Sequence, residues 1–135
     1  MAESSILVPA TNVAVRYIVA DVDAALRFYT GALGFHVVMH PGPGFAMLAS
    51  GHLRLLLNRP GAGGAGQTTG AGEVPAPGGW NRIQLEVRGI EAVVERLTAE
   101  GCRFRNEVVA GMGGSQALLE DPSGNLVELF EPRPA

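Results

Sequence analysis

The sequence predicts an α+β fold built from two tandem β-α-β-β-β modules, and three observations support this prediction. Residues 17–29 align without a gap on residues 85–97, and both segments read as a strand running directly into a helix. Each segment is followed by three strand-like runs with Gly- and Pro-rich turns between them. A stretch rich in Gly, Ala and Pro separates the two copies, as a connector would.

The first module is predicted to span about residues 12–58. Apolar residues occupy every second position from Val13 to Val19, which is typical of a half-buried strand. Asp21 is a favourable N-cap for the helix that follows, and Gly34 is a favourable residue to end it. Between them, apolar residues recur at helical spacing at Val22, Ala25, Leu26 and Tyr29. The three further strands are predicted at 35–40, 45–49 and 53–57.

The second module is predicted to span about residues 80–131. Its first strand shows the same alternation from Ile83 to Val87, and its helix is predicted to end at Gly101. The helical spacing is carried by Ile90, Val93, Val94 and Leu97. The three further strands are predicted at 103–109, 116–120 and 126–130.

The connector, residues 60–79, shows no hydrophobic period, which predicts a flexible segment without packed structure. It would serve as a tether between the modules or as a lid over a ligand, and we favour the tether. Its glycines lack the flanking strand, helix and Lys-Ser/Thr of a nucleotide-binding loop. With 135 residues, 47% of them hydrophobic, the whole chain 1–135 is expected to form one domain.

Charge and targeting signals limit the partners of this chain. The net charge is -3 and no run of Lys or Arg occurs, so we expect neither nucleic acid nor a membrane surface as a partner. Met1 to Ala10 lacks the pattern of a signal peptide, and no apolar run is long enough to span a membrane. Cys102 is the one cysteine, which excludes an intrachain disulfide. The expected compartment is the cytoplasm.

Two segments of the sequence resemble a known family. Residues 19–35, VADVDAALRFYTGALGF, and residues 119–130, LEDPSGNLVELF, are similar to motifs of the vicinal oxygen chelate superfamily. That superfamily includes glyoxalase I, extradiol dioxygenases, fosfomycin-resistance enzymes and bleomycin-binding proteins. The resemblance covers residues 12–130 and implies two modules whose curved mixed sheets enclose a cleft. It does not imply one activity, because one fold hosts many sites.

The resemblance also implies where a divalent metal ion would bind. The superfamily's metalloenzymes commonly use a His at the start of each module's first strand and a Glu near the end of the last strand. The positions that match the two His are Ala14 and Arg82, the Glu matches Glu128, and Leu55 is taken as the counterpart of Glu128 in the first module. With one ligand of four left, we expect no metal and no cofactor. The three histidines lack chelating spacing and are predicted to be surface residues: His36, His40 and His52.

Strand alternation predicts which side chains line the cleft. Residues two apart on a strand share a face, which places a few polar groups on an otherwise apolar floor. Such a surface suits small-molecule recognition. Arg82 and Glu128 are expected to form an ion pair with spare donors for a ligand, and Trp80 either stacks on a flat ligand or covers the connector at the edge of the core. The predicted ligand-binding residues are Arg16, Leu55, Trp80, Arg82, Gln84, Glu128 and Phe130.

These features predict a metal-independent protein that binds a small aromatic or apolar natural product. The alternative is an enzyme of the same superfamily, a lyase, isomerase or dioxygenase-like protein, either metal-free with Glu128 as the base or with a non-standard metal site. A third hypothesis is an assembly partner whose cleft has lost its function. Members of this size often form dimers, so the resemblance implies a homodimer.

Overall fold

The computed structural model describes residues 6–134 and shows the predicted pair of β-α-β-β-β modules. The expectation about Met1 to Ala10 falls in part outside the described residues. None of the helices in the described part of the chain is long and apolar enough to cross a membrane. The first module contains β1 (Val13–Ile18), α1 (Val22–Leu26), β2 (His36–Gly42), β3 (Phe45–Ser50) and β4 (Leu53–Asn58). The second contains β5 (Ile83–Glu86), α2 (Ile90–Ala99), β6 (Arg103–Phe104), β7 (Val109–Ala110), β8 (Gly114–Glu120) and β9 (Leu126–Pro132).

Each module forms one mixed sheet in which the first and last strands are neighbours. The first sheet has the order β1-β4-β3-β2, and the second has the order β5-β9-β8-β6, with β7 also paired to β8. The pairs β1-β4 and β5-β9 are parallel, and the other pairs are antiparallel. Parallel neighbours need a crossover connection, which the helix of each module supplies.

The two helices begin in different ways. Asp21 caps α1 by accepting a hydrogen bond from the Ala24 N–H at 3.1 Å, as predicted. The helix then continues as a π-helical segment over Arg27–Ala32. Helix α2 has Gly89 at its N-cap with φ 68, and its first N–H groups are held by Glu131 of β9, a cap that sequence analysis missed. Gly34 and Gly101 follow the helices with positive φ, which confirms their predicted role.

One hydrophobic core joins the two modules. It lies on the helix-facing sides of both sheets, so apolar residues of both modules belong to one cluster. Tyr29, from the π-helical segment, is fully buried and packs edge-on against Phe28 and Phe35. The largest fully buried members of the cluster from the strands are Leu48, Leu55, Leu57, Leu119 and Leu129.

The strand predicted at 103–109 is broken in two. The Arg105 N–H still bonds to the Leu118 carbonyl at 2.8 Å, but the Leu118 N–H bonds to the side chain of Asn106 at 3.0 Å. Because this amide takes the place of a backbone acceptor, the ladder stops after β6 and resumes at β7.

The connector also differs from its prediction. Its first part is folded into hydrogen-bonded turns, with the Gly61 N–H on the Gly66 carbonyl at 2.6 Å and the Gly66 N–H on the Ala62 carbonyl at 3.1 Å. Its last part is attached to the second module, since the Gly78 N–H donates to Asn125 Oδ1 at 2.7 Å. The prediction of a segment without packed structure is therefore wrong at both ends of the connector.

Candidate functional site

The polar centre of the second sheet is Glu128, on the face turned away from the helices. Parallel pairing sets Gln84 of β5 directly opposite Glu128 of β9. Glu128 Oε2 accepts from Gln84 Nε2 at 2.7 Å, and Glu128 Oε1 accepts from Arg82 Nε at 3.0 Å. Arg82 Nη2 lies 2.9 Å from Glu128 Oε1, which completes an ion pair. Glu128 is only 7% exposed, so its charge is neutralised by these partners rather than by water. The predicted Arg82–Glu128 ion pair is present.

Arg82 keeps donors for a further partner. A guanidinium has five N–H donors. Two of those in Arg82 reach Glu128, and one from Nη1 reaches the carbonyl of Trp80 at 3.3 Å. The indole of Trp80 is 67% exposed, so it does not cover the edge of the core. The guanidinium of Arg105 lies 5.6 Å from the centre of its ring, a cation–π contact on one indole face.

Arg16 lies on the open face of the first sheet, and its Nη1 donates to Asn58 Oδ1 at 2.8 Å. Arg16 and Arg82 line the same cavity of about 390 Å³, which lies between β1 and the start of β5. The end of the connector, with Ala76 and Gly78, forms part of its wall. The structure thus brings the two predicted arginines of different modules to one cavity.

Asn125, in the turn before β9, connects the parts of the chain that form the wall of this cavity. Asn125 Nδ2 donates to the Ile18 carbonyl at the end of β1 at 2.8 Å, while Asn125 Oδ1 accepts from Gly78 of the connector. The hydroxyl of Tyr17 accepts from the Ile83 N–H at 2.8 Å and donates to the Leu126 carbonyl at 2.6 Å. Burial raises the pKa of Tyr17 above its ordinary value, so the hydroxyl stays protonated as this bridge requires.

The prediction that Leu55 lines the cleft is wrong. In the parallel pairing of β1 with β4, Leu55 lies opposite Val15 and Leu56 lies opposite Arg16. Leu55 is therefore on the helix-facing side, where it is fully buried in the core. Leu56, and not Leu55, is the counterpart of Glu128 in the first module, because Arg16 pairs with Leu56 as Gln84 pairs with Glu128.

Phe130 lies on the same face as Glu128, two residues further along β9 and opposite Glu86. It is partly buried. The structure therefore gathers Trp80, Arg82, Gln84 and Glu128 into one bonded group, with Phe130 beside it on the same face.

The family model described as Glyoxalase/Bleomycin resistance protein/Dioxygenase superfamily matches residues 12–129. The chain belongs to this superfamily. The match confirms the predicted resemblance and the fold class that it implies. No curated protein matches the sequence at a significant level.

Solved structures agree with the assignment to the superfamily. A superfamily member from Sphaerobacter thermophilus DSM 20745 is 27% identical with a TM-score of 0.73, over 93% of this chain and 99% of that one. TnmS3, an antibiotic binding protein from Streptomyces sp. CB03234, is 20% identical with a TM-score of 0.70, over 94% and 99%. The lactoylglutathione lyase from Agrobacterium tumefaciens is 20% identical with a TM-score of 0.70, over 91% and 94%. The last two matches show a shared fold.

The residues at the superfamily's metal positions do not fit a divalent ion. Ala14 and Leu56 offer no donor, Arg82 is a cation, and both oxygens of Glu128 already accept hydrogen bonds. Among residues 6–134, no three His, Cys, Asp or Glu side chains are grouped so that they could hold a metal ion. The histidines are exposed, as predicted: His36, His40 and His52.

Three residues of the site were missed by sequence analysis. Asn81 and Asn125 line the cavity, and Arg105 covers one face of Trp80. Asn125 stands in the Asp-Pro-Ser-Gly-Asn turn, and an Asn after such a turn is a signal that can be read from sequence. Arg105 has no such signal, since its contact with Trp80 joins two segments that are distant in sequence.

Proposed function

We propose that this protein binds a small aromatic or apolar natural product without a metal ion. The observation that carries the proposal is the Arg82–Glu128–Gln84 group, which occupies the superfamily's metal position with a bonded ion pair. A carboxylate whose charge is already balanced by an adjacent guanidinium is a poor ligand for a metal ion, whereas the guanidinium keeps donors for a ligand. The similarity in fold to the antibiotic binding protein TnmS3 also supports a small-molecule binding function.

The proposed ligand-binding set follows the corrected geometry. Arg82 would donate hydrogen bonds, Gln84 and Glu128 would hold Arg82 in position, and Trp80 would offer its free face to a flat ring system. Small-molecule sites commonly combine apolar walls with a small number of polar groups that fix the orientation of the ligand, and this set has that composition. Leu56 takes the place of Leu55. The full proposed set is Arg16, Leu56, Trp80, Arg82, Gln84, Glu128 and Phe130.

A compound screen tests the proposal. Polyketide and peptide antibiotics are added one at a time, and the thermal midpoint of the protein is measured. We expect at least one compound to raise the midpoint, and Arg82→Ala to abolish the shift. Arg96→Ala is the matched control, because Arg96 is an exposed arginine of α2 whose partner is Glu100, directly after the end of that helix. A rise that survives in Arg82→Ala would place the ligand elsewhere, and no rise with any compound would contradict the proposal.

The same screen separates binding from catalysis. If a compound that raises the midpoint is also converted to a product, and Glu128→Gln abolishes the conversion, the protein is an enzyme that uses Glu128 as a base. The ion pair with Arg82 argues against that role, since accepting a proton would remove the negative charge that balances the guanidinium. We therefore expect binding without turnover.

We also propose that the protein is a cytoplasmic homodimer. Strand β2 is an edge strand, and its Val37, Val38 and Met39 are each about half exposed, which favours a covered surface in an assembly. A single cysteine suits a reducing compartment. Light scattering that gives the mass of one chain at micromolar concentration would contradict the dimer.

A further inference from the structure

The charge of the cavity between β1 and β5 carries an inference about the ligand that fills it. Two arginines line this cavity, Arg16 from the first module and Arg82 from the second. Among the described residues that line it, none is acidic. Every ionised side chain on the cavity wall is therefore positive.

The two arginines are not neutralised to the same degree. Arg82 has its carboxylate partner in Glu128, which does not belong to the cavity wall. Arg16 donates to the neutral amide oxygen of Asn58, and within residues 6–134 it forms no ion pair with a carboxylate. One full positive charge at the cavity thus has no counter-charge from the described protein.

The other groups of the wall suit an anion held by its polar end. Asn81 and Asn125 line the cavity together with the arginines, and Val15, Ile18, Ile83 and Ala76 supply apolar surface. Guanidinium groups recognise carboxylates with paired N–H donors.

We propose that the ligand of this cavity is an anion, an aromatic or apolar molecule with a carboxylate or phenolate group that Arg16 and Arg82 hold between the two modules. This inference rests on the proposed binding function and adds the chemical class of its ligand. Arg16 supplies the charge that the ligand neutralises, and Arg82 supplies the hydrogen bonds that Glu128 leaves available.

The test compares two probes of the same shape, 2-naphthoate and its neutral analogue 2-naphthamide, by titration calorimetry at low salt and pH 7. We expect the acid to bind at least about tenfold more tightly than the amide, because only the carboxylate of the acid can form a charge-assisted hydrogen bond with the arginines. Raising the salt concentration should lower the affinity for the acid and leave the affinity for the amide unchanged.

Two variants locate the effect. Arg16→Gln should bring the affinity for the acid down to that for the amide. Arg54→Gln is the matched control, since Arg54 lies on the same face of the first sheet but bonds to the Gly51 and Leu53 carbonyls and does not line the cavity. Arg54→Gln removes one positive charge, as Arg16→Gln does, but the variant should keep the preference for the acid. Thermal midpoints of both variants show that they are folded.

The outcomes of this test and of the compound screen are distinct. Equal affinity for acid and amide, a preference that survives in Arg16→Gln, or no binding of either probe would overturn the anion inference. None of these results decides the proposed function, which stands or falls with the compound screen and Arg82→Ala. If Arg16→Gln does not fold, the comparison of acid and amide in the unmodified protein still decides.

Discussion

The hydroxyl of Tyr29 donates a hydrogen bond of 2.9 Å to Asp121 Oδ2, and both side chains are buried. Tyr29 belongs to the π-helical segment of the first module, and Asp121 belongs to the turn before the last strand of the second. Asp121 also accepts from the Ser123 and Asn125 N–H groups, and Asn125 in turn holds β1 and the connector. The contact therefore links the packing of the modules to the wall of the cavity.

Tyr29→Phe tests this contact, since it removes the hydroxyl and keeps the ring. We expect the free energy of unfolding to fall by about 1.5–3 kcal/mol, the range for a hydrogen bond to a charged group. Burial and the Asp121 carboxylate raise the pKa of Tyr29 far above its ordinary value, so the loss should not change between pH 6 and 9. Urea denaturation measures it. Thr69→Val, which removes an exposed hydroxyl bonded to Glu73, should change stability by less than about 0.5 kcal/mol.

The connector offers a matched pair of glycines. A Cβ added at Gly66 would lie 2.5 Å from the Ala62 carbonyl oxygen and 2.6 Å from the Arg59 carbonyl oxygen, both of them backbone atoms. A Cβ at Gly70 would meet nothing within 4 Å. We expect Gly66→Ala to destabilise the protein by about 1–3 kcal/mol and to speed proteolysis of the connector, whereas Gly70→Ala is neutral or slightly stabilising. Equal behaviour of the two variants would mean that the connector is the unpacked tether that its composition predicts.

Structural features that depend on a local sequence pattern were predicted correctly. Features that depend on contacts between distant residues were not. The duplicated strand-helix pattern placed both modules, and the Arg82–Glu128 pair followed from their superposition. Leu55 was assigned to the wrong face because Leu55, Leu56 and Leu57 are three consecutive apolar residues, so Arg54 alone marks the side of the strand that is turned away from the core. The face was decided by the parallel partner β1, which sets Leu56 beside Arg16.

The connector illustrates the same limit. Its Gly, Ala and Pro content is that of a flexible linker, and no local signal indicates that Gly78 bonds to Asn125, 47 residues away. Sequence reasoning could state that the segment has no helix or strand of its own. It could not state that the segment forms a wall of the cavity, because that depends on a turn in the other module.

The coupling between Arg82 and Glu128 can be measured with a double-mutant cycle. Arg82→Met leaves the buried Glu128 carboxylate with Gln84 as its side-chain partner, so we expect a loss of about 2–4 kcal/mol in unfolding free energy. Adding Glu128→Leu should recover part of that loss, giving a coupling of about 1–3 kcal/mol. The exposed pair Arg96–Glu100 is the control and should show about 0.5 kcal/mol or less. Similar coupling in both pairs would show that the Arg82–Glu128 pair is solvated like a surface pair.

The cap of α2 predicts a dependence of stability on pH. Glu131 accepts from the Ile90 N–H at 3.0 Å and from the Gly89 N–H at 2.8 Å, and these bonds lower the pKa of its carboxyl below the ordinary value. A carboxyl whose pKa is lower in the folded than in the unfolded protein stabilises the fold above the unfolded pKa, which is about 4.3 for Glu. That stabilisation disappears as the pH falls through the folded pKa.

We therefore expect Glu131→Gln to lower the thermal midpoint at pH 7, and the difference from the unmodified protein to shrink steadily as the pH is lowered below about 4. The neutral amide oxygen accepts more weakly than a carboxylate and has one oxygen instead of two for the two N–H groups. Glu91→Gln, in the first turn of the same helix, removes the same charge but none of these bonds, so it should cost less at pH 7. If the difference in thermal midpoint between Glu131→Gln and the unmodified protein stays constant from pH 7 to pH 3, the ionisation of Glu131 does not contribute to the stability that the cap provides.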